Sequence, residues 1–217
     1  MNEAIHQIRI CVNPECACRF PVTRSDQTKQ KCPRCGSDTQ PVREPYESYL
    51  IQEKQPDPPA PRVVAVLDNL RSALNVGAIF RTADGAGISG LYLCGITPPA
   101  DNPKVVKTAL GAEKAIRWEH RWNCLETVEE LKQNGFQLWA LEGGSGAINL
   151  FRALGKINPD KPIALIVGNE VSGVDPAVVE CCDRSVYIPM SGIKESLNVA
   201  TAFGVAAYFL RYGKSIS

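Results

Sequence analysis

Three stretches of the chain place polar residues where a core segment needs none. Val186 to Tyr212 opens like a strand at Val186, Tyr187 and Ile188, then breaks at Pro189, Ser191 and Gly192. It continues as a long helix with Leu197, Ala200, Phe203, Gly204, Ala207 and Tyr208 at helical spacing. Between strand and helix lie Ser191, Lys194, Glu195, Ser196 and Asn198. A helix start leaves backbone N–H groups without intrahelical partners and carries the positive end of the dipole, which suits a ligand. Pro162 to Asp175 is an apolar strand followed by Gly168, Glu170 and Gly173. Val63 to Gly87 is a strand followed by a helix bearing Asn75 and Arg81. Those two lie under two turns apart and need not share a face.

The cysteines suggest a second kind of chemistry. Five of the nine fall between Cys11 and Cys35. Outside an oxidising compartment, such a cluster reads as metal ligands rather than disulfides. Cys32-x-x-Cys35-Gly36 forms one knuckle: Gly36 permits the tight turn, and Pro33 stiffens it. Two of Cys11, Cys16 and Cys18 complete a tetrahedral four-thiolate site. Cys11 and Cys16 are the preferred pair, since Cys16 and Cys18 leave one residue between ligands. Cys18 in place of either stays open. Four thiolates close the coordination shell, so the metal, expected to be zinc, is structural. Its binding supplies on the order of 10 kcal/mol to a segment too small to fold on apolar burial. Cys94, Cys124, Cys181 and Cys182 read as small core residues.

These sites need elements to hold them. Strands are predicted at Val63–Leu67, Leu91–Cys94, Gln137–Leu141, Ile163–Val167 and Val186–Ile188, and helices at Asn75–Asp84, Leu125–Gln133, Pro176–Cys182 and Ser196–Tyr212. Asp175-Pro176 is a strong helix start, an N-cap followed by Pro at the first helical position. Alternating apolar strands and helices give an α/β fold, a mostly parallel sheet with helices on both faces. His120, between Trp118 and Trp122, sits in a stretch that these patterns do not assign. The predicted organisation is a zinc-ribbon-like domain at 1–45, a Pro-rich linker at 46–62 with a short helix from Tyr46 to Glu53, and a larger domain at 63–217.

Composition narrows the function. The 217 residues carry a net charge of +1, so the chain is not basic overall, and any nucleic-acid surface must come from local clustering. No apolar run reaches membrane-spanning length, and the first ten residues lack the apolar core of a signal peptide; the expectation is a cytoplasmic protein with no membrane partner. There is neither G-x-G-x-x-G after the first strand nor a Walker loop.

The three polar stretches together resemble the SpoU/TrmH-type RNA 2′-O-ribose methyltransferases of the SPOUT superfamily. Asn75, Gly77 and Arg81 match N-x-G-x-x-x-R. Gly168, Glu170 and Gly173 match G-x-E-x-x-G, and Ile188 through Val199 matches I-P-M-x-G-x-x-x-S-L-N-V. The resemblance covers about residues 63–212 and implies a C-terminal trefoil knot, a homodimer, and S-adenosylmethionine as cofactor. It implies that Leu165, Val167, Gly168, Ile188, Met190 and Leu197 hold the cofactor. Leu165 and Val167 serve equally as plain core strand.

Arg81 is implied to act at the reacting ribose, since guanidinium suits phosphate bidentately; an ordinary surface ion pair is the alternative. Asn75 orients Arg81 or caps its helix. Glu170, Ser196 and Asn198 fill the remaining polar positions, with helix capping as the plain reading of the last two. The implied activity is methylation of a ribose 2′-hydroxyl of tRNA or rRNA. The alternatives are a non-catalytic RNA-binding or assembly protein and a base methyltransferase. Arg9, Arg19, Arg24, Lys29, Lys31 and Arg34 around the cysteines form an RNA-facing patch or simply solvate the ribbon among Glu15, Asp26 and Asp38.

Overall fold

A computed structural model describes residues 5–23, 31–47 and 61–213. They belong to two compact units, one within residues 1–56 and the other within 57–217.

The first unit is a small antiparallel sheet of β1 (Ile5–Cys11), β2 (Arg19–Thr23), β3 (Thr39–Pro41) and β4 (Tyr46–Glu47). β1 is central and pairs with all three others. Tyr46–Glu47 is therefore a strand, where a helix start was expected: it pairs with Ile5–His6, and tertiary pairing outweighs local propensity. The rest of that predicted helix, the Pro-rich linker up to residue 60, and Arg24, Asp26 and Lys29 lie outside the described residues. Two turns leave the strands with Cys11 and Cys16 on one and Cys32 and Cys35 on the other.

The second unit is built on seven parallel strands: β5 (Val63–Asp68), β6 (Leu91–Cys94), β7 (Trp118–Arg121), β8 (Gln137–Leu141), β9 (Ile148–Asn149), β10 (Ile163–Val167) and β11 (Arg184–Tyr187). Their order in the sheet is β7-β6-β5-β10-β8-β11-β9. The central strands are buried end to end, as a parallel sheet covered on both faces requires. Alternate residues divide between two cores. Val63, Ala65, Leu67, Leu165 and Val167 pack under α1 (Ala73–Ala86), α2 (Pro103–Ala109), α3 (Ala112–Ala115) and α6 (Val199–Tyr212). Val64, Val66, Ala164 and Ile166 pack under α4 (Cys124–Gln133) and α5 (Pro176–Cys181). The four scattered cysteines lie in or against this second core.

In this unit the predicted strands and helices all occur, with α6 starting three residues later than expected. Four of its strands and α-helices escaped prediction: α2, α3, β7 and β9. The two strands are at the sheet's edges, four and two residues long, and carry no clean alternation. α2 has a recognisable start, Asn102 capping with Pro103 at the first helical position, but only seven residues.

Candidate active site

The polar residues of the three stretches meet at the C-terminal edge of the parallel sheet. This is the edge at which open α/β sheets bind ligands. Each stretch reaches it by a different device.

The segment after β10 turns back at once. Asn169 and Gly173 exchange two backbone hydrogen bonds of 3.0 Å, closing a five-residue loop. The Asn169 carboxamide oxygen accepts from the Val171 and Ser172 amides, and its Nδ2 donates to the Asn69 carbonyl at 2.7 Å. A Cβ on Gly168 would run into the Gly173 backbone, which is why only glycine fits there. Gly173 itself has φ +75°, the left-handed region. The loop thus holds Glu170 at its outer bend.

Glu170 gathers three donors from the segment that follows β5. Its carboxylate accepts from the Arg71 amide at 2.9 Å, the Ser72 amide at 3.1 Å and Asn75 Nδ2 at 3.0 Å. Partial burial pushes its pKa up, but the amides and the Asn75 carboxamide outweigh this and hold the carboxyl below its ordinary range. Asn75 Oδ1 in turn accepts from Asn198 Nδ2 at 3.1 Å. Asn198 also caps α6, its Oδ1 accepting from the Ala200 and Thr201 amides. Capping and site assembly are thus one role in Asn198. Asn75 is not its helix's N-cap; Ser72 is, and Asn75 donates to it.

Beside this network lies a cleft of about 890 Å³, within the usual size of a small-molecule site. Val167, Gly168, Ile188, Met190 and Leu197 line it, as do Glu170, Ser196 and Asn198. Leu165 does not. It is fully buried two residues below the strand end, packed in the core, so the plain reading of that residue holds. Arg81 is absent from the lining as well. It lies about 9 Å farther along α1 than Asn75 at 1.5 Å per residue. It is exposed and has no hydrogen bond or ion pair among the described residues.

Four lining residues lie outside the three stretches singled out in the sequence: Leu141 at the end of β8, and Glu142, Gly143 and Gly144 just beyond it. Glu142 accepts from the Val174 amide at 2.9 Å and so braces the loop that carries Glu170. The signal for it was a carboxylate followed by two glycines at a strand's C-terminal end. Among the described residues the lining contains Glu142, Glu170 and Glu195 but no Lys, Arg or His. Apolar side chains together with carboxylates that no cation pairs suit a ligand with an apolar or aromatic body and positive charge. They do not suit a phosphate-rich one.

In the first unit, the sulfurs of Cys11, Cys16, Cys32 and Cys35 all lie within 4.8 Å of one another. Cys11 and Cys35 are 3.5 Å apart, and Cys16 and Cys32 are 3.8 Å apart. Four thiolates at about 2.3 Å from a tetrahedral zinc stand about 3.8 Å from each other, so the set fits that ion. The Arg34 amide points at Cys32 Sγ at 3.4 Å, as a knuckle turn provides. Cys18 is outside the group. Arg9 is tied to Thr39, while Lys31 pairs with Asp38.

Comparison with known proteins gives a consistent picture for the second unit. The model of the SpoU rRNA Methylase family matches residues 62–208. The 23S rRNA (guanosine(2553)-2′-O)-methyltransferase RlmP of Bacillus subtilis (strain 168) is 37% identical over 150 residues, 69% of this chain and 58% of that protein. The tRNA (guanosine(18)-2′-O)-methyltransferase of Aquifex aeolicus (strain VF5) is 32% identical over 166 residues, 73% of this chain and 71% of that one. The crystal structure of an AdoMet-bound rRNA methyltransferase from Sinorhizobium meliloti superposes with a TM-score of 0.65 at 28% identity, covering 74% of this chain and 59% of the other. The match to RlmP thus spans less than two thirds of that relative's length, and the family match leaves out the cysteine-bearing unit.

Proposed function

The chain belongs to the SpoU rRNA methylase family, and on that premise we propose that it moves a methyl group from S-adenosylmethionine to a ribose 2′-hydroxyl of tRNA or rRNA. The observation that carries this is the cleft itself: apolar walls, three carboxylates and no cation, closed by a network that joins all three motif segments. S-adenosylmethionine, with its sulfonium, ammonium and flat adenine, has the charge and shape such a cleft favours.

When bound, S-adenosylmethionine would supply an activated methyl group to the ribose 2′-oxygen, its sulfur keeping the carbon–sulfur bonding pair as a neutral thioether and the hydroxyl proton passing to solvent. Val167, Ile188, Met190 and Leu197 would hold the adenosine between apolar side chains, with strand-end backbone groups reading its edge. Glu170 orders the start of α1 and the asparagine pair, and so keeps the three loops in one geometry.

The ribose and its phosphate call for a cation, and the cleft of one chain has none. Arg81 is exposed on α1, away from the cleft. A homodimer in which α1 of one copy faces the cleft of the other reconciles these facts, and supports reading Arg81 as the phosphate-binding group. We extend the proposal to a trefoil knot formed by the segments around β10 and β11, supported by family membership and by β10 lying between β5 and β8. It also covers structural zinc on Cys11, Cys16, Cys32 and Cys35, supported by the sulfur spacing. A cytoplasmic location is part of the same proposal, supported by the four clustered thiols, which serve as metal ligands rather than disulfides outside an oxidising compartment.

The test is transfer of labelled methyl from S-adenosylmethionine into unmodified total RNA. Label recovered as 2′-O-methylnucleoside with the parent, and reduced at least about a hundredfold with Arg81→Ala while cofactor affinity is kept, is the expected result. Label in a base would shift the acceptor. Absence of both transfer and calorimetric cofactor binding would favour the non-catalytic alternative.

A further inference from the structure

The second unit divides its charge between its two faces. From Asn69 to Arg117, the cations Arg71, Arg81, Lys104, Lys107, Lys114 and Arg117 outnumber the acids Asp84, Asp101 and Glu113. Even this balance understates the surface. Glu113 is buried and turned inward to accept from the Gly111 amide at 3.0 Å. All six cations are exposed, and their side chains have no hydrogen bond or ion pair among the described residues. Four of them belong to α2, α3 and the residue just before β7.

The opposite face is acidic. α4 and α5 and their flanks expose Glu126, Glu129, Glu130, Glu180 and Asp183. The lysine among them, Lys132, is engaged with the Cys181 carbonyl at 2.7 Å, and Arg121 pairs with Glu130 at 3.5 Å, which leaves Glu126, Glu129, Glu180 and Asp183 without a cation partner among the described residues. A net charge near zero therefore conceals a strongly polar arrangement, basic over α1–α3 and acidic over α4–α5.

The basic elements are also fixed rigidly to the helix that bears Asn75 and Arg81. A Cβ on Gly77 would stand 2.6 Å from the Val105 carbonyl oxygen of α2, so the two backbones touch at that glycine. Lys104 and Lys107, three residues apart, share a side of α2. Exposed Val106 and Leu110 flank them, Leu110 held in the left-handed region at φ 54°.

We infer that the α1–α3 face is the track along which the phosphate backbone of the substrate RNA crosses this unit, with Lys104 and Lys107 as its central contacts. The inference rests on the RNA-directed activity proposed above and adds the direction from which RNA reaches the cleft. Charge complementarity selects the occupant. A polyanion is attracted to unpaired, unburied ammonium groups and repelled from the glutamates of the other face, and each phosphate neutralised releases counterions. Since such contacts fix register without reading sequence, the face positions RNA and leaves the choice of nucleotide to other groups.

The test uses the full chain and fluorescently labelled, unmodified tRNA and rRNA-fragment transcripts, with binding followed by anisotropy over a potassium chloride series. Lys104→Glu combined with Lys107→Glu should weaken binding about tenfold or more at moderate salt. It should make the slope of log K against log salt shallower by about 0.7–0.9 per lost contact. Calorimetric affinity for S-adenosylmethionine should stay as in the parent. Lys104→Gln with Lys107→Gln, a milder pair, should show the same slope change with a smaller loss. As a control, Glu129→Lys with Glu180→Lys adds the same charge to the acidic face and should alter affinity less than about twofold.

A gain in the control equal to the loss in the lysine variants would mean that only net charge matters, and would overturn the inference. An unchanged slope in the lysine variants, with the parent binding RNA, would overturn it while leaving the proposed activity standing. Loss of self-association by sedimentation, with RNA binding kept, would assign the face to a second copy of the chain and also overturn it. A parent that binds neither RNA nor cofactor would overturn both.

Discussion

Glu170 is the residue on which the candidate site turns, because it alone is bonded to donors on two backbone amides and a side chain of another segment. Glu170→Gln keeps the shape and removes the charge. It is expected to lower methyl transfer about tenfold, the effect of weakening charge-assisted hydrogen bonds at a positioning group. Its pH signature has a definite sign. The folded pKa lies below the ordinary 4.5, so the carboxylate stabilises the fold fully above that value and loses the contribution as acid protonates it. The Tm gap between parent and Glu170→Gln should be constant over about pH 6 to 8 and close as pH falls below the unfolded carboxylate range, as thermal melts in buffers of matched ionic strength would show. A gap that widens in acid would contradict the assigned network.

At the scale of elements, two glycines explain spacings that a motif only records. Gly77 lets α1 and α2 meet backbone to backbone, and Gly168 lets the loop after β10 fold onto itself. Gly77→Ala must push α2 away from α1, and a destabilisation of about 1–3 kcal/mol is expected from overpacking a tight contact, measurable by urea unfolding. Gly168→Ala runs into the Gly173–Val174 peptide, so its loop must open. Its expected effect is loss of cofactor affinity larger than the loss of stability. The same scale explains the elements the sequence concealed. β7 and β9 are edge strands without alternation, and α2 and α3 are too short for helical periodicity to emerge. Yet α2 and α3 supply half of the six cations of the basic face.

At the scale of the whole molecule, the two units have different sources of stability. The second has two apolar cores on either side of a seven-stranded sheet. The first has a few half-buried strand residues and four converging thiols. Removing the proposed zinc with a chelator, or Cys32→Ser, should unfold the first unit and leave S-adenosylmethionine binding by the second unchanged. Circular dichroism with calorimetry on the same sample would show both, and loss of cofactor binding would refute the separation. An exposed Arg81 remote from its own cleft likewise makes activity a property of the assembled protein in the proposed dimer. Mixing inactive Arg81→Ala with an inactive cleft variant should then restore part of the activity.

By itself the sequence determined the sheet's central strands, the three long helices α1, α4 and α6, the well-capped short helix α5, the ligand-like loops and the four cysteines, because these depend on local signals. Periodicity, caps, glycines at turns and knuckle spacing are written within a few residues of the groups they place. Only the tertiary structure decided which of those groups meet. Asn75 is 95 residues from Glu170 and 123 from Asn198 in sequence, and their hydrogen bonds exist because β5 and β10 end, and α6 begins, at one edge of the sheet. Leu165 and Val167 look alike in the chain, but one is sealed in the core and the other lines the cleft, since two residues of strand separate interior from edge. The same holds for charge. A chain of net +1 becomes a molecule with a basic and an acidic face only when folding turns Glu113 inward and gathers α1, α2 and α3 on one side of the sheet.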